Sequence, residues 1–337
     1  MTDLVRVLVT IDISKELLCK LREVSPQLQV DQTYCKSEEA VTEALGVETE
    51  VLYARHFPTR LENGSRLRWI QYQAAGLDVY LNHPLIRTSV MITTTSGAHA
   101  GPGAEFVIGL MIALARRIPQ LVKNQSQHHW NPADSPEIEL RGKTLGIVGY
   151  GSIGRELARL ASALGMRILA VKRNVHDLLD ADNIAAFPGD PNGRLPERIF
   201  ATAELKMMLA EADFVVVAAP LTRDTAGLIG EDELRVMKPT SYLINVARGS
   251  VVTMTALTKA LKENRIAGAA VDVFESEPLG AASELWELPN LLITPHVMAS
   301  RANPNYDERC NRIFAENLRR YLAQSPLLNL VRKDAGY

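Results

Sequence analysis

The hexapeptide Gly149-Tyr150-Gly151-Ser152-Ile153-Gly154 constrains this chain more than any other feature. It follows the apolar run Thr144–Val148 and opens a stretch in which Ile153, Leu157, Leu160, Ala161 and Leu164 recur on one face of a helix. The three glycines have separable uses. The first permits a tight turn, the second lets backbone approach a diphosphate, and the third lets the helix close on the strand. The diphosphate charge then meets the positive end of the helix. Alone, GxGxxG is a weak signal. With a strand before it, a helix after it and a further strand at Arg167–Val171, it indicates dinucleotide binding.

Before the motif, short β-branched runs alternate with amphipathic stretches: Val5–Ile11, then Ser14–Val24 with Ser14 as N-cap, Val51–Tyr53, Leu67–Gln73 and Val90–Thr95. After it come Phe214–Ala219, Ser241–Val246, Gly268–Val273 and Leu291–Thr294, with helical patterns between them. Continuously apolar strands such as Phe214–Ala219 belong to a sheet buried on both faces. The expected fold class is therefore α/β, with two units built on parallel sheets, and 337 residues suit two domains. Residues Pro102–Ile118 read as one long connecting helix with Pro102 in its first turn. The Pro- and Gly-dense Phe187–Pro196 reads as a surface excursion, and a last helix is expected from about Tyr306 to Ala323.

Composition narrows the partners. A net charge of -2 leaves no basic field for nucleic acid or anionic lipid, so a small molecule is expected. The longest apolar run, Phe106–Ala115, is about half of the roughly 20 residues a membrane span needs. No secretory signal is recognisable, and the expected location is cytoplasmic. Cys19, Cys35 and Cys310 form neither a disulfide framework nor a metal knuckle and read as reduced. His128-His129 beside Trp130 lack metal-ligand spacing and read as loop or rim residues, so no metal is expected.

Other chemistry-bearing residues stand at strand ends, where open α/β sheets place ligands. An NAD site usually has a carboxylate about 20 residues past the motif. Here Lys172 and Arg173 stand there instead. They read either as partners of a 2′-phosphate, giving a preference for NADP over NAD, or as ordinary surface charges. Later strand ends carry Asn245-Val246-Ala247-Arg248-Gly249, Asp272-Val273-Phe274-Glu275-Ser276-Glu277-Pro278 and Thr294-Pro295-His296. Chemistry suggests Arg248 for a carboxylate, His296 as proton donor and Glu277 to orient its ring. Singly, they could be a turn arginine, a solvated loop acid and a core histidine.

These segments, with Ala74–Asp78, Thr93–Gly97, Pro102, Glu105 and Pro220–Thr222, resemble the D-isomer-specific 2-hydroxyacid dehydrogenases over nearly the whole chain. The resemblance implies two Rossmann-like or flavodoxin-like domains with a cleft between them: a substrate domain from 1–100 and 300–337, and a dinucleotide domain from 101–299. It implies reversible hydride transfer between a nicotinamide and C2 of a 2-oxo acid, giving the D-hydroxy acid. Arg248 would bind substrate, and His296 paired with Glu277 would supply the proton. The cofactor would be held by Gly149, Gly151, Ser152, Ile153, Gly154, Lys172, Arg173, Pro220, Ala247 and Asp272. Backbone near Ala75 and Gly76 would hold the carboxylate, and a homodimer joined through the dinucleotide domains is implied.

The Lys172-Arg173 pair looks like the NADP-using glyoxylate and hydroxypyruvate reductases and points to reduction as the working direction. Thr94 stands where the family often has Asn. Val297–Arg301 replaces a run of small residues, which places Met298 at the substrate pocket, with Tyr53, Arg55, His56 and Tyr72 as further specificity positions. Competing readings are a nucleotide-sensing corepressor on the same scaffold and a phosphite-type dehydrogenase. A formate enzyme is disfavoured because it usually has Gln where Glu277 stands.

Overall fold

The computed structural model describes residues 4–134, 138–179, 189–299, 303 and 305–334. The chain divides into two compact units, Met1–Ala98 with Arg301–Tyr337, and His99–Ala181 with Phe187–Ser300. The first begins with β1 (Val5–Val9), α1 (Lys15–Arg22), β2 (Leu28–Gln32), α2 (Glu38–Ala44), β3 (Val51–Ala54), β4 (Trp69–Tyr72) and β5 (Met91–Thr93). Its strands form a parallel sheet in the order β2-β1-β3-β4-β5. Ser14 does cap α1, its hydroxyl accepting the Leu17 N–H at 3.2 Å. The sequence reading missed β2 and α2. Along β2 only Leu28 and Val30 are buried, on an edge strand, and α2 buries Val41 alone, so neither carries a long apolar pattern.

The second unit runs α3 (Ala100–Ala115), α4 (Ile118–Ser126), β6 (Thr144–Val148), α5 (Ser152–Ala163), β7 (Arg167–Val171), β8 (Arg198–Phe200), α6 (Leu205–Glu211), β9 (Phe214–Val217), α7 (Glu231–Val236), β10 (Tyr242–Asn245), α8 (Met254–Lys262), β11 (Gly268–Val271) and β12 (Leu291–Ile293). The helix read to Ile118 ends at Ala115, and a second helix that the sequence reading did not include begins at Ile118. Arg117 adopts a left-handed conformation (φ 46°), and Pro119, which has no N–H to donate, sits in the first turn of α4.

Seven parallel strands follow the order β12-β11-β10-β9-β6-β7-β8. Alternate residues serve opposite layers. Val215, Val217 and Leu243 pack with residues of α6, α7 and α8, whereas Phe214, Val216 and Ile244 pack with α3 and α5. The strand order reverses between β6 and β9, and an open α/β sheet receives its ligand at such a switch point. The glycine motif leaves β6 there.

The chain then returns to the first unit as α9 (Tyr306–Leu322). Tyr306, Cys310, Ile313, Phe314 and Leu318 form its apolar stripe and pack with Tyr53 and Trp69. Asn317 on the same face is fully buried, donating to Gln71 Oε1 at 3.0 Å and to the Leu328 carbonyl at 3.1 Å. Among the described residues no helix is long and apolar enough to cross a membrane.

Candidate active site

Five loops leave the carboxyl ends of β6, β7, β10, β11 and β12, and each carries residues singled out by the sequence. After β6, Gly149 has φ 100°, and a Cβ there would lie 2.6 Å from the Ala219 backbone nitrogen, so only glycine fits. A Cβ at Gly154 would lie 2.5 Å from the Gly149 carbonyl oxygen. Gly151 is different, because a Cβ there would meet nothing within 4 Å. Internal packing does not require that glycine. It leaves the N-terminus of α5, where no side chain caps the first turn, open to approach from outside. Ser152 and Ile153 follow it, both half-buried.

After β10, the extended Arg248 precedes Gly249, whose Cβ would lie 2.1 Å from the Phe274 carbonyl carbon. Absence of a side chain at 249 lets the Arg248 loop close on the loop after β11. That second loop carries Glu277, which accepts the Phe274 N–H on Oε1 at 2.8 Å. Its other oxygen, Oε2, lies 2.7 Å from Nδ1 of His296. Partial burial pushes the Glu277 carboxyl up, but the hydrogen bonds from His296 and Phe274 and the charges of His296 and Arg248 outweigh it, holding the carboxyl below its ordinary range. Arg248, Glu277 and His296 thus come together within one unit. His296 keeps a side-chain exposure of 42%, so its ring is reachable from solvent.

The backbone at His296 is itself unusual, with φ 52°. Asp272 secures it. This aspartate is fully buried at the end of β11, and its carboxylate accepts the Thr294 hydroxyl at 2.6 Å and the N–H groups of Val297 and Met298 at 3.0 Å each. The Asp272 carbonyl takes the His296 N–H at 2.8 Å. The sequence reading placed Asp272 among the residues that would hold the cofactor and missed this grip on the His296 turn. A signal existed, since an acid ending an apolar strand must find donors once buried.

The remaining residues are placed as follows. Lys172 and Arg173 stand at the end of β7, and the Lys172 ammonium donates to the Asp177 carbonyl. Ala247 is buried beside Asn245, and Pro220 is exposed, its carbonyl accepting the Thr225 hydroxyl. Met298 packs partly buried against the core under α3, its sulfur toward Gly103. Ala75 and Gly76 lie in the first unit, in the turn after β4, with Ala75 exposed. Arg55, there also, donates to Gln73 at 2.8 Å. His129 lies 3.7 Å from Asp134, and among the described residues no three His, Cys, Asp or Glu side chains gather as a metal site. Of the predicted stretches, Ser300-Arg301 and Phe187-Pro188 lie outside the described residues.

Residues 108–298 match the family model "D-isomer specific 2-hydroxyacid dehydrogenase, NAD binding domain". This chain belongs to the D-isomer-specific 2-hydroxyacid dehydrogenases. A glyoxylate reductase of Thermococcus litoralis is 35% identical over 281 residues, 81% of this chain and 80% of the relative. A family member from Aeromonas salmonicida superposes with a TM-score of 0.75 at 29% identity, covering 98% of this chain and 99% of that one. A family member from Xanthobacter autotrophicus, solved in complex with NADPH and MES, gives 0.75 at 25% identity over 99% and 100% of the two chains. The protein is thus an NAD(P)-dependent 2-hydroxyacid dehydrogenase, an α/β enzyme with two parallel sheets that couples a 2-oxo acid and its 2-hydroxy acid through a nicotinamide cofactor. The open approach at Gly151, the uncapped start of α5 and the switch point between β6 and β9 fit the dinucleotide such a dehydrogenase uses.

Proposed function

We propose that the protein reduces a small 2-oxo acid of the glyoxylate or hydroxypyruvate kind to its D-2-hydroxy acid, with NADPH preferred over NADH. The observation that carries the reading is the His296–Glu277 pair at 2.7 Å, in a loop cluster where the charge of Arg248 reaches Glu277. When bound, the dihydronicotinamide supplies the hydride to C2. Arg248 holds the substrate carboxylate and carbonyl oxygen by charge-assisted hydrogen bonds and draws electron density toward that oxygen. With Nδ1 donating to Glu277, the opposite nitrogen of the His296 ring is the one that gives its proton to the oxygen as C2 takes the hydride. Glu277 fixes the ring through its contact at Nδ1. Asp272, which holds the turn, keeps the ring from drifting. The cofactor would rest on Gly149–Gly154, with Pro220, Ala247 and Asp272 flanking it and the 2′-phosphate on Lys172 and Arg173.

Support for NADP comes from the two cations at the end of β7 and from the NADPH-bound relative. We also propose a homodimer formed through the dinucleotide unit, where Ile118, Val122 and Trp130 expose apolar surface. Three free thiols suit a cytoplasmic setting. The test is initial rates at 340 nm with glyoxylate, hydroxypyruvate, pyruvate, 2-oxoisocaproate and phenylpyruvate, each with NADPH and NADH. Fastest turnover of the smallest acids with NADPH is expected. No turnover despite tight dinucleotide binding would overturn the reductase reading in favour of a nucleotide sensor.

A further inference from the structure

The segment after β7 that composition marks as a surface excursion is anchored by buried charge. Asp190 is only 5% exposed, and its carboxylate accepts the Tyr150 hydroxyl at 2.7 Å and the N–H groups of Arg194 and Leu195 at 2.9 Å each. Its carbonyl receives the guanidinium of Arg155, a side chain 2% exposed. The same guanidinium donates to the Leu178 carbonyl at 2.8 Å and lies 5.0 Å from the centre of the Tyr150 ring. Glu156, equally buried, accepts the Gly189 N–H at 3.0 Å.

Burying charge is costly unless each group is paired, and apolar contacts would hold a surface loop more cheaply. What this cluster joins explains the expense. Tyr150 lies inside the glycine motif, and Arg155 and Glu156 are on the helix that motif opens. Leu178 belongs to the turn that starts at Lys172-Arg173, where Lys172 is itself tied back to the Asp177 carbonyl. Arg155 therefore links the diphosphate-binding loop to the turn bearing the two cations, and Asp190 holds Arg155 and Tyr150 in place.

We infer that Tyr150, Arg155 and Asp190 are positioning residues that set the Lys172-Arg173 turn in register with the glycine loop, and so determine how strongly a 2′-phosphorylated dinucleotide is favoured. The inference rests on the NADP reading above. It adds residues outside the 2′-phosphate contact and gives the 189–196 segment a role in cofactor choice.

The experiment titrates full-length wild type, Asp190→Ala, Tyr150→Phe and Arg155→Lys with NADPH and NADH by nicotinamide fluorescence, alongside melting temperature and steady-state rates. Loss of a charge-assisted hydrogen bond corresponds to roughly 10- to 100-fold in affinity. Asp190→Ala is expected to weaken NADPH by that factor and NADH by less than about threefold, with kcat at saturating cofactor little changed. Tyr150→Phe, which loses one bond, should shift the ratio the same way but less. Arg155→Lys keeps the charge but not the fork that reaches two carbonyls, so it should follow Asp190→Ala. Equal weakening of both cofactors, or no change, would overturn the inference and leave the cluster a stability element. Should Asp190→Ala not fold, Tyr150→Phe carries the test. A wild type that binds NADPH no better than NADH overturns the Lys172-Arg173 reading itself, and that result is seen before any variant is measured.

Discussion

His296 shows how single residues are constrained here. Its ring is held by Glu277 at Nδ1 and its main-chain N–H by the Asp272 carbonyl, while its backbone occupies a conformation that non-glycine residues seldom adopt. If the ring is the proton donor, His296→Ala should lower kcat by about 10²-fold or more while NADPH titration stays close to wild type. Unchanged kcat would remove it from the mechanism. Glu277 gives a pH prediction. Its folded-state pKa is depressed, so the contribution of its ionised form is complete above the ordinary carboxylate range and is lost only as pH falls through the lower folded value. The ion pair should therefore survive mild acid. A profile of kcat/KM for wild type and Glu277→Gln should show no acid limb at the ordinary glutamate position that the variant abolishes; finding one contradicts the assignment.

Among the elements, α9 and α5 show where patterning misleads. The stripe on α9 was legible because its apolar residues recur with helical spacing, yet Asn317 lies in the middle of it and is fully satisfied by Gln71 and Leu328. Asn317→Leu would leave the buried N–H and carbonyl of Leu328 without Asn317, while Gln71 Oε1 keeps the Thr93 hydroxyl, at about 1–3 kcal/mol, which a thermal melt should report as a fall of several degrees. No loss of stability would mean water replaces the bonds. On α5 the predicted stripe is only partly buried: Leu157 and Ala161 are covered, but Leu164 is 38% exposed while the charged Arg155 and Glu156 are covered instead. Hydrophobic periodicity cannot report a helix face that is buried by another polar segment.

For the molecule as a whole, Trp130, at 93%, is the most exposed large apolar side chain among the described residues, with the exposed Val122 and Ile118 nearby in sequence. Light scattering at micromolar concentration should give twice the chain mass, and Val122→Asp with Trp130→Ala should shift it toward the monomer. A monomeric wild type would refute the dimer. The order of apolar runs and the glycine motif were enough, from sequence alone, to read two α/β units and a dinucleotide-binding loop, because strand burial and tight turns impose local residue choices, whereas the dehydrogenase reading of the strand-end motifs came from the family resemblance. Tertiary structure alone decided the rest. That Asp272 grips the His296 turn, that α3 stops short before α4, and that Asp190 reaches back to Tyr150 and Arg155 all depend on which polar groups meet across long sequence separations. A buried polar atom is recognisable only when its partner is in view.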